Sequence, residues 1–247
     1  ILKTLDGKVA CVMLEPVVPD YDTGNRYLTD LRQLADKHGC LLVFDETITG
    51  FRTALGGAQT YYGVQPDLTV LGKGMANGHP LSCLAGRADV MAEAREVFLS
   101  ATFGGETLSL AAGLATLKKM RDEPVIEHLW SQGAKLRNRV NILVRDNNLQ
   151  EVIQLNGIDP WVLVSFTGQD GFSAAEIKTF FLKEMMNLGV LLTASHNMSY
   201  AHDAGALALI EAAYARVLPE LKDAMRTGTL RERLNCKLVS PVFQVRP

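Results

Sequence analysis

A chain of 247 residues with 47% hydrophobic and 21% charged content can bury one sizeable core, or two smaller ones, without disulfides or metals. Its formal net charge of -2 gives no general electrostatic drive toward nucleic acid or an acidic membrane surface. No apolar stretch reaches the ~18 residues of a spanning helix, and the four cysteines form no CxxC pair. Cys11, Cys40 and Cys83 lie in apolar runs and are expected to be small buried hydrophobes in a reducing, cytoplasmic setting.

The first expected element is a strand over Val9 to Leu14, a continuous apolar run that ends at Glu15 and at Pro16, which cannot continue a central strand. Leu28, Leu31, Leu34 and Ala35 then fall on one face of a helix from Tyr27 to His38, stopped by Gly39. Cys40 to Phe44 has no polar alternation, which suits a strand buried on both faces of a parallel sheet, and Asp45 follows at its carboxyl end. Leu68 to Leu71 is a further strand, opened by Pro66-Asp67, closed by Gly72 and followed by Lys73. In open α/β sheets ligands collect outside the carboxyl ends of the strands, so this carboxylate and this amine could face one ligand. A strand at Leu81 to Ala85, a helix around Asp89 to Val97, a glycine-bearing loop at Ser100 to Glu106 and a small-residue helix from Thr107 to Met120 complete this part.

The composition changes after Arg121, and a domain boundary is expected near residue 122, giving a large domain over 1–122 and a small α+β domain over 123–247. Asp122-Glu123-Pro124 reads as the start of a long helix reaching Asn147-Asn148. Strands are expected at Glu151 to Leu155 and Trp161 to Phe166, turning at Asn156-Gly157. Ser173 to Glu176 has capping-box spacing and opens a helix buried through Ile177, Phe180, Phe181, Met185 and Leu188. Gly189 ends that helix, Val190 to Thr193 reads as a strand, and Asp203 caps a last helix with Leu207, Ile210, Tyr214 and Leu221 inward.

Taken singly, the chemical signals are weak. The Lys73 loop has GxGxxxG spacing and no serine or threonine after its GK pair, so it is neither phosphate-loop type, and a lysine in such a loop is most often solvated surface. A strand-end aspartate such as Asp45 often only caps the next turn. Asp45 and Glu46 are adjacent on an extended segment, so their side chains diverge and do not form a general acid/base pair. The five histidines form no HExxH or cysteine–histidine cluster, so no metal site is expected; His196 and His202 are kept as candidate pocket residues.

The segments LLVFDETITGFR, YGVQPDLTVLGKGMANGHPLSCLAGRADVM and TFGGETLSLAAGLATL together resemble the class III aminotransferases, pyridoxal-phosphate enzymes of fold type I, and especially their glutamate 1-semialdehyde aminomutase branch. The similarity is strongest over Val9 to Met120 and weaker toward Gly189-Val190-Leu191-Leu192 and Pro241-Val242-Phe243. The resemblance implies an α/β fold, the later part of a large domain with a mostly parallel sheet and flanking helices, followed by the α+β small domain. It implies Lys73 as the Schiff-base lysine, Asp45 as the partner of the pyridine nitrogen of pyridoxal 5'-phosphate, Thr47 packed on the cofactor ring, and Thr102 reaching the phosphate of a neighbouring subunit in a homodimer. Asp20 falls where the branch usually has an asparagine near the ring hydroxyl, and Gly105-Glu106-Thr107 replaces the more usual GNP. An ionised Asp45 ~4 Å from the ring nitrogen would hold its proton by about 4 kcal/mol at an effective dielectric of ~20. The implied activity is amino-group transfer on a small amino or oxo compound by a 1,3-proton shift. By the same match the phosphate-cradling loop and the ring-stacking aromatic would precede residue 1, as expected of a fragment of a longer enzyme. Two rivals stand beside this reading: a class III transaminase with a different substrate, and a non-catalytic truncated relative acting as a dimerisation or binding module.

Overall fold

A computed structural model describes residues 7–17, 24–98 and 100–240. The chain divides into two compact units, Ile1–His128 and Leu129–Pro247.

The first unit is built on β1 (Cys11–Leu14), α1 (Gly24–His38), β2 (Leu41–Glu46), α2 (Gly57–Tyr62), β3 (Leu68–Leu71), β4 (Cys83–Gly86), α3 (Ala88–Ala92) and α4 (Thr107–Asp122). Its sheet runs β1-β2-β3-β4, with the first three strands parallel and β4 antiparallel to β3. β2 is central because its run is apolar on both faces, and Leu42, Val43 and Phe44 are all buried. The α1 face supplies Leu28 and Ala35, which join Cys40, Leu42, Phe44 and Val64 in one core. Asp67 ties β3 to β2. Its Oδ2 accepts from Leu42 N–H at 2.7 Å and from Arg32 Nη1 at 2.7 Å, while Oδ1 accepts from Arg87 Nη1 at 2.8 Å. Burial opposes its ionisation, but the Leu42 amide and the Arg87 and Arg32 guanidiniums outweigh that and hold the carboxyl at about 2.

Two expectations for this unit are corrected. Cys40 is buried, but Cys11 and Cys83 are exposed, because β1 and β4 are the edges of the sheet and carry Met13 and Leu84 half out of the surface as well. β4 also begins two residues later than the apolar run suggests. The short helix α2 was not foreseen, since GAQTYY has no apolar period.

α5 (Val125–Asp146) runs through the division between the units. The second unit holds β5 (Ile153–Ile158), β6 (Trp161–Phe166), α6 (Ala174–Asn187), β7 (Ser195–Asn197), α7 (Ala204–Arg226) and α8 (Leu230–Leu234), with an antiparallel sheet ordered β5-β6-β7. Its core includes Leu136, Ile153, Val162, Ile177, Phe181, Tyr214 and Leu221. The capping box of α6 is formed as expected: Ser173 Oγ accepts from Glu176 N–H at 3.2 Å, and Glu176 Oε2 accepts from Ser173 N–H at 2.8 Å. Asp203 Oδ1 caps α7 by accepting from Ala206 N–H at 2.8 Å.

The hairpin turns at Asp159-Pro160, not at Asn156-Gly157, which pair within β5. Pro160 has no N–H for the ladder and so takes the turn. α5 presses on that turn, where a Cβ on Gly133 would come 1.8 Å from Asp159 O. The expected strand at Val190 to Thr193 is not formed. Gly189 at φ 82° and Ala194 at φ 66° bend the chain on either side, and β7 starts only at Ser195. α8 also extends the chain beyond the helix expected to be last.

Candidate active site

Asp45 and Lys73 come from neighbouring parallel strands. The register pairs Asp45 with Val70 and Glu46 with Leu71, so the chain leaves β2 through Thr47 beside the point where β3 gives way to Gly72 and Lys73. Asp45 is half-buried. Its Oδ1 accepts from Thr47 N–H at 3.0 Å and from Thr47 Oγ1 at 2.5 Å, and Oδ2 has no partner among the described residues. Thr47 reaches the other strand too: a Cβ on Gly72 would lie 3.3 Å from Thr47 Cγ2.

Lys73 opens a single 3-10 turn, Lys73–Met75, with Gly72 buried before it. The lysine backbone sits at φ 40°, a left-handed conformation uncommon for any residue with a side chain. Neighbouring structure holds it there. Asn77 N–H donates to Lys73 O at 3.1 Å, Met75 and Ala76 are buried, and α4 packs close through Gly113, where a Cβ would meet Leu81 Cδ2 at 2.8 Å and Met75 O at 3.9 Å. The Lys73 side chain is exposed, and no carboxylate pairs with it among the described residues.

Glu46 has the opposite environment from Asp45. It is fully buried, as expected from divergent side chains on an extended segment. Oε2 accepts from Thr49 Oγ1 at 3.0 Å and Ala58 N–H at 2.5 Å, and Oε1 accepts from Gln59 N–H at 3.1 Å and Gln59 Nε2 at 3.2 Å. This carboxylate therefore satisfies the open amides at the start of α2 and closes the loop that begins at Thr47. Gly57 at φ 75° makes room for it, since a Cβ there would lie 2.3 Å from Oε2. The sequence reading missed this part of the site; the pair Gly56-Gly57 was its one visible sign.

The remaining candidates divide. Thr102 lies exposed in the turn before α4, and no hydrogen bond joins it to Asp45, Thr47 or Lys73. In the same loop Glu106 caps α4, accepting from Leu108 N–H at 2.9 Å and Ser109 N–H at 2.6 Å; hydrogen bonding by Ser109, then Leu108, holds its carboxyl below the usual range. Asp20 lies outside the described residues. His196 belongs to the core of the second unit, with Nε2 2.8 Å from Tyr214 Oη; burial, with a smaller contribution from His202, lowers it to about 4. His202 Nδ1 accepts from Ser199 N–H at 2.9 Å and serves a turn. Two open clefts of about 550 and 580 Å³ lie near Phe51 and Leu55 and around Arg32, Asp67 and Arg87, and neither includes Asp45 or Lys73. Among the described residues no cluster of histidine, cysteine or carboxylate side chains could hold a metal ion.

Among the described residues the site offers one carboxylate oxygen and one primary amine without partners, at the ends of adjacent strands. A carboxylate oxygen can accept from a cationic N–H and a primary amine can condense with a carbonyl, the two groups that the cofactor implied by the resemblance would offer.

A family model described as aminotransferase class-III matches residues 1–225. The chain is 36% identical over 236 residues to a glutamate-1-semialdehyde 2,1-aminomutase of Nitratidesulfovibrio vulgaris, covering 88% of this chain and 55% of that protein. It is 32% identical over 206 residues to glutamate-1-semialdehyde 2,1-aminomutase 2 of Lachnoclostridium phytofermentans, covering 78% and 48%. Among solved structures, the FumI protein of Sphingopyxis sp. in its PLP internal aldimine form matches with a TM-score of 0.82 at 26% identity, over 92% of this chain and 55% of that one. An omega-transaminase from Sphaerobacter thermophilus matches with a TM-score of 0.80 at 22% identity, over 90% and 54%, a likeness of fold alone. The chain spans about half the length of the curated relatives it matches.

Proposed function

This chain belongs to the class-III aminotransferase family, and from that premise we propose that the complete protein transfers an amino group on a small amino or oxo compound, with pyridoxal 5'-phosphate as cofactor. The observation that carries the proposal is the juxtaposition of Asp45, Thr47 and the Lys73 turn at the carboxyl ends of β2 and β3. When bound, the cofactor supplies a protonated ring that accepts the electron pair left as a substrate Cα–H bond breaks. Asp45 Oδ2 would hold the ring nitrogen's proton, and Lys73 Nζ would hold the aldehyde carbon. Freed by the substrate amine, Lys73 Nζ would take a proton from one carbon and return it to another, the 1,3-proton shift. Thr102 would serve the phosphate of a partner subunit in a homodimer, and Asp20 would lie near the ring hydroxyl. In this reading residues 1–122 belong to the large, cofactor-binding domain and 123–247 form the small domain, in a cytoplasmic enzyme. No helix among the described residues is long and apolar enough to cross a membrane.

The relatives by sequence support isomerisation of one amino aldehyde, the aminomutase reading. A second reading, a transaminase with two substrates, is supported by a 25%-identical β-phenylalanine aminotransferase from Variovorax paradoxus with a TM-score of 0.72. Dependence of turnover on an external amino acceptor separates the two. The cofactor site itself is tested by borohydride reduction of the complete protein with pyridoxal phosphate, then peptide mass mapping. A phosphopyridoxyl group on Lys73 is expected; its absence would overturn the proposal and leave a binding module.

A further inference from the structure

The geometry points to Thr47 as a positioning residue that holds Asp45 and the Lys73 turn in one frame, with its hydroxyl on the carboxylate and its methyl toward the open side of Gly72. The inference rests on the cofactor reading above and gives Thr47 a task beyond packing on a ring. Its backbone N–H and its Oγ1 both donate to the same oxygen, Asp45 Oδ1, at 3.0 and 2.5 Å. Two donors on one oxygen fix the carboxylate's rotation and leave Oδ2 presented in a single direction. A backbone N–H alone would cap a turn in the same way with any residue at position 47; the hydroxyl is what the threonine adds.

The methyl addresses the other strand. Threonine is branched at Cβ, so its hydroxyl and methyl directions are set together by one torsion. With Oγ1 committed to Asp45, Cγ2 points at Gly72, 3.3 Å from where a Cβ there would lie. Gly72 is the buried residue from which the Lys73 turn starts. A carboxylate on β2 and an amine after β3 are thus indexed to each other through one side chain, at the point where an error of about 1 Å would be costly to catalysis.

The test compares wild type, Thr47→Val, Thr47→Ser and Asp45→Asn in the complete protein. Valine keeps the branched shape and loses the hydroxyl, whereas serine keeps the hydroxyl and loses the methyl. Each variant is titrated with pyridoxal phosphate, and the visible absorbance of the bound cofactor is followed against pH. The valine variant should bind pyridoxal phosphate roughly 10-fold more weakly, the effect of one lost charge-assisted hydrogen bond. Its absorbance midpoint should move in the same direction as that of Asp45→Asn, while the serine variant keeps the wild-type midpoint. A valine variant with wild-type affinity and midpoint would overturn the inference, as would a serine variant displaced as far as valine. Wild-type protein that takes up no pyridoxal phosphate overturns the cofactor reading, and this inference with it. Wild-type uptake beside an unaffected valine variant overturns this inference alone.

Discussion

Lys73 combines an exposed amine, unpaired among the described residues, with a left-handed backbone, two features that a lysine on an ordinary surface loop does not need together. Lys73→Ala should abolish turnover while leaving the fold intact, because the side chain makes no hydrogen bond or ion pair among the described residues. Activity assays beside circular dichroism check both halves of that expectation. Asp67 is a contrasting charged residue, one whose work is structural. It is buried between Arg32 and Arg87 and accepts from a β2 amide, so Asp67→Asn keeps the shape and removes the charge that both guanidiniums face. The loss should be about 2 kcal/mol, read from the urea midpoint.

At the scale of elements, Glu46 decides whether α2 exists. Glu46→Ala would leave the Ala58 and Gln59 amides without their acceptor, at a cost of about 3 kcal/mol, and should raise amide exchange over Gly57–Tyr62 first. Elements whose cause is local were legible in the sequence. β2 follows from an unbroken apolar run, β3 from its Pro-Asp and glycine boundaries, and α6 from a capping box with an apolar stripe. Elements whose cause is distant were not. α2 depends on a carboxylate 12 residues upstream, and β7 depends on two left-handed residues that displace pairing past Val190 to Thr193. Asp45 and Lys73 were legible as strand-end groups, but their roles came from the family resemblance. The hold of Thr47 on Asp45 and its approach to Gly72 could be seen only once β2 and β3 were in register.

For the whole molecule, the two units carry acid sensitivity in different pH windows. In the second unit His196 is buried and neutral, lowered from 6.5 to about 4. The unfolded chain therefore binds a proton first, and stability from this residue is full above 6.5 and lost as pH falls toward 4, by about 3 kcal/mol in all. In the first unit Asp67 is lowered from 3.8 to about 2, so its contribution is present above 3.8 and lost only as pH falls toward 2. Acid titration followed by hydrogen exchange should show β7 and α7 losing protection before β2 and β3. His196→Phe should remove the earlier loss. Simultaneous loss in both regions would contradict the assignment.

Among the described residues, β1 and β4 are the outer strands of the first unit's sheet. Each carries an exposed apolar side chain, Met13 or Leu84, and an exposed thiol, Cys11 or Cys83. Where outer strands of this kind lie uncovered they template strand addition from like molecules, and thiols on them can then fix the contact covalently by oxidation. Concentrated solutions of this polypeptide should accumulate ladders of cross-linked multimers in air, and a reductant or a Cys11→Ser, Cys83→Ser, Cys236→Ser triple variant should remove them.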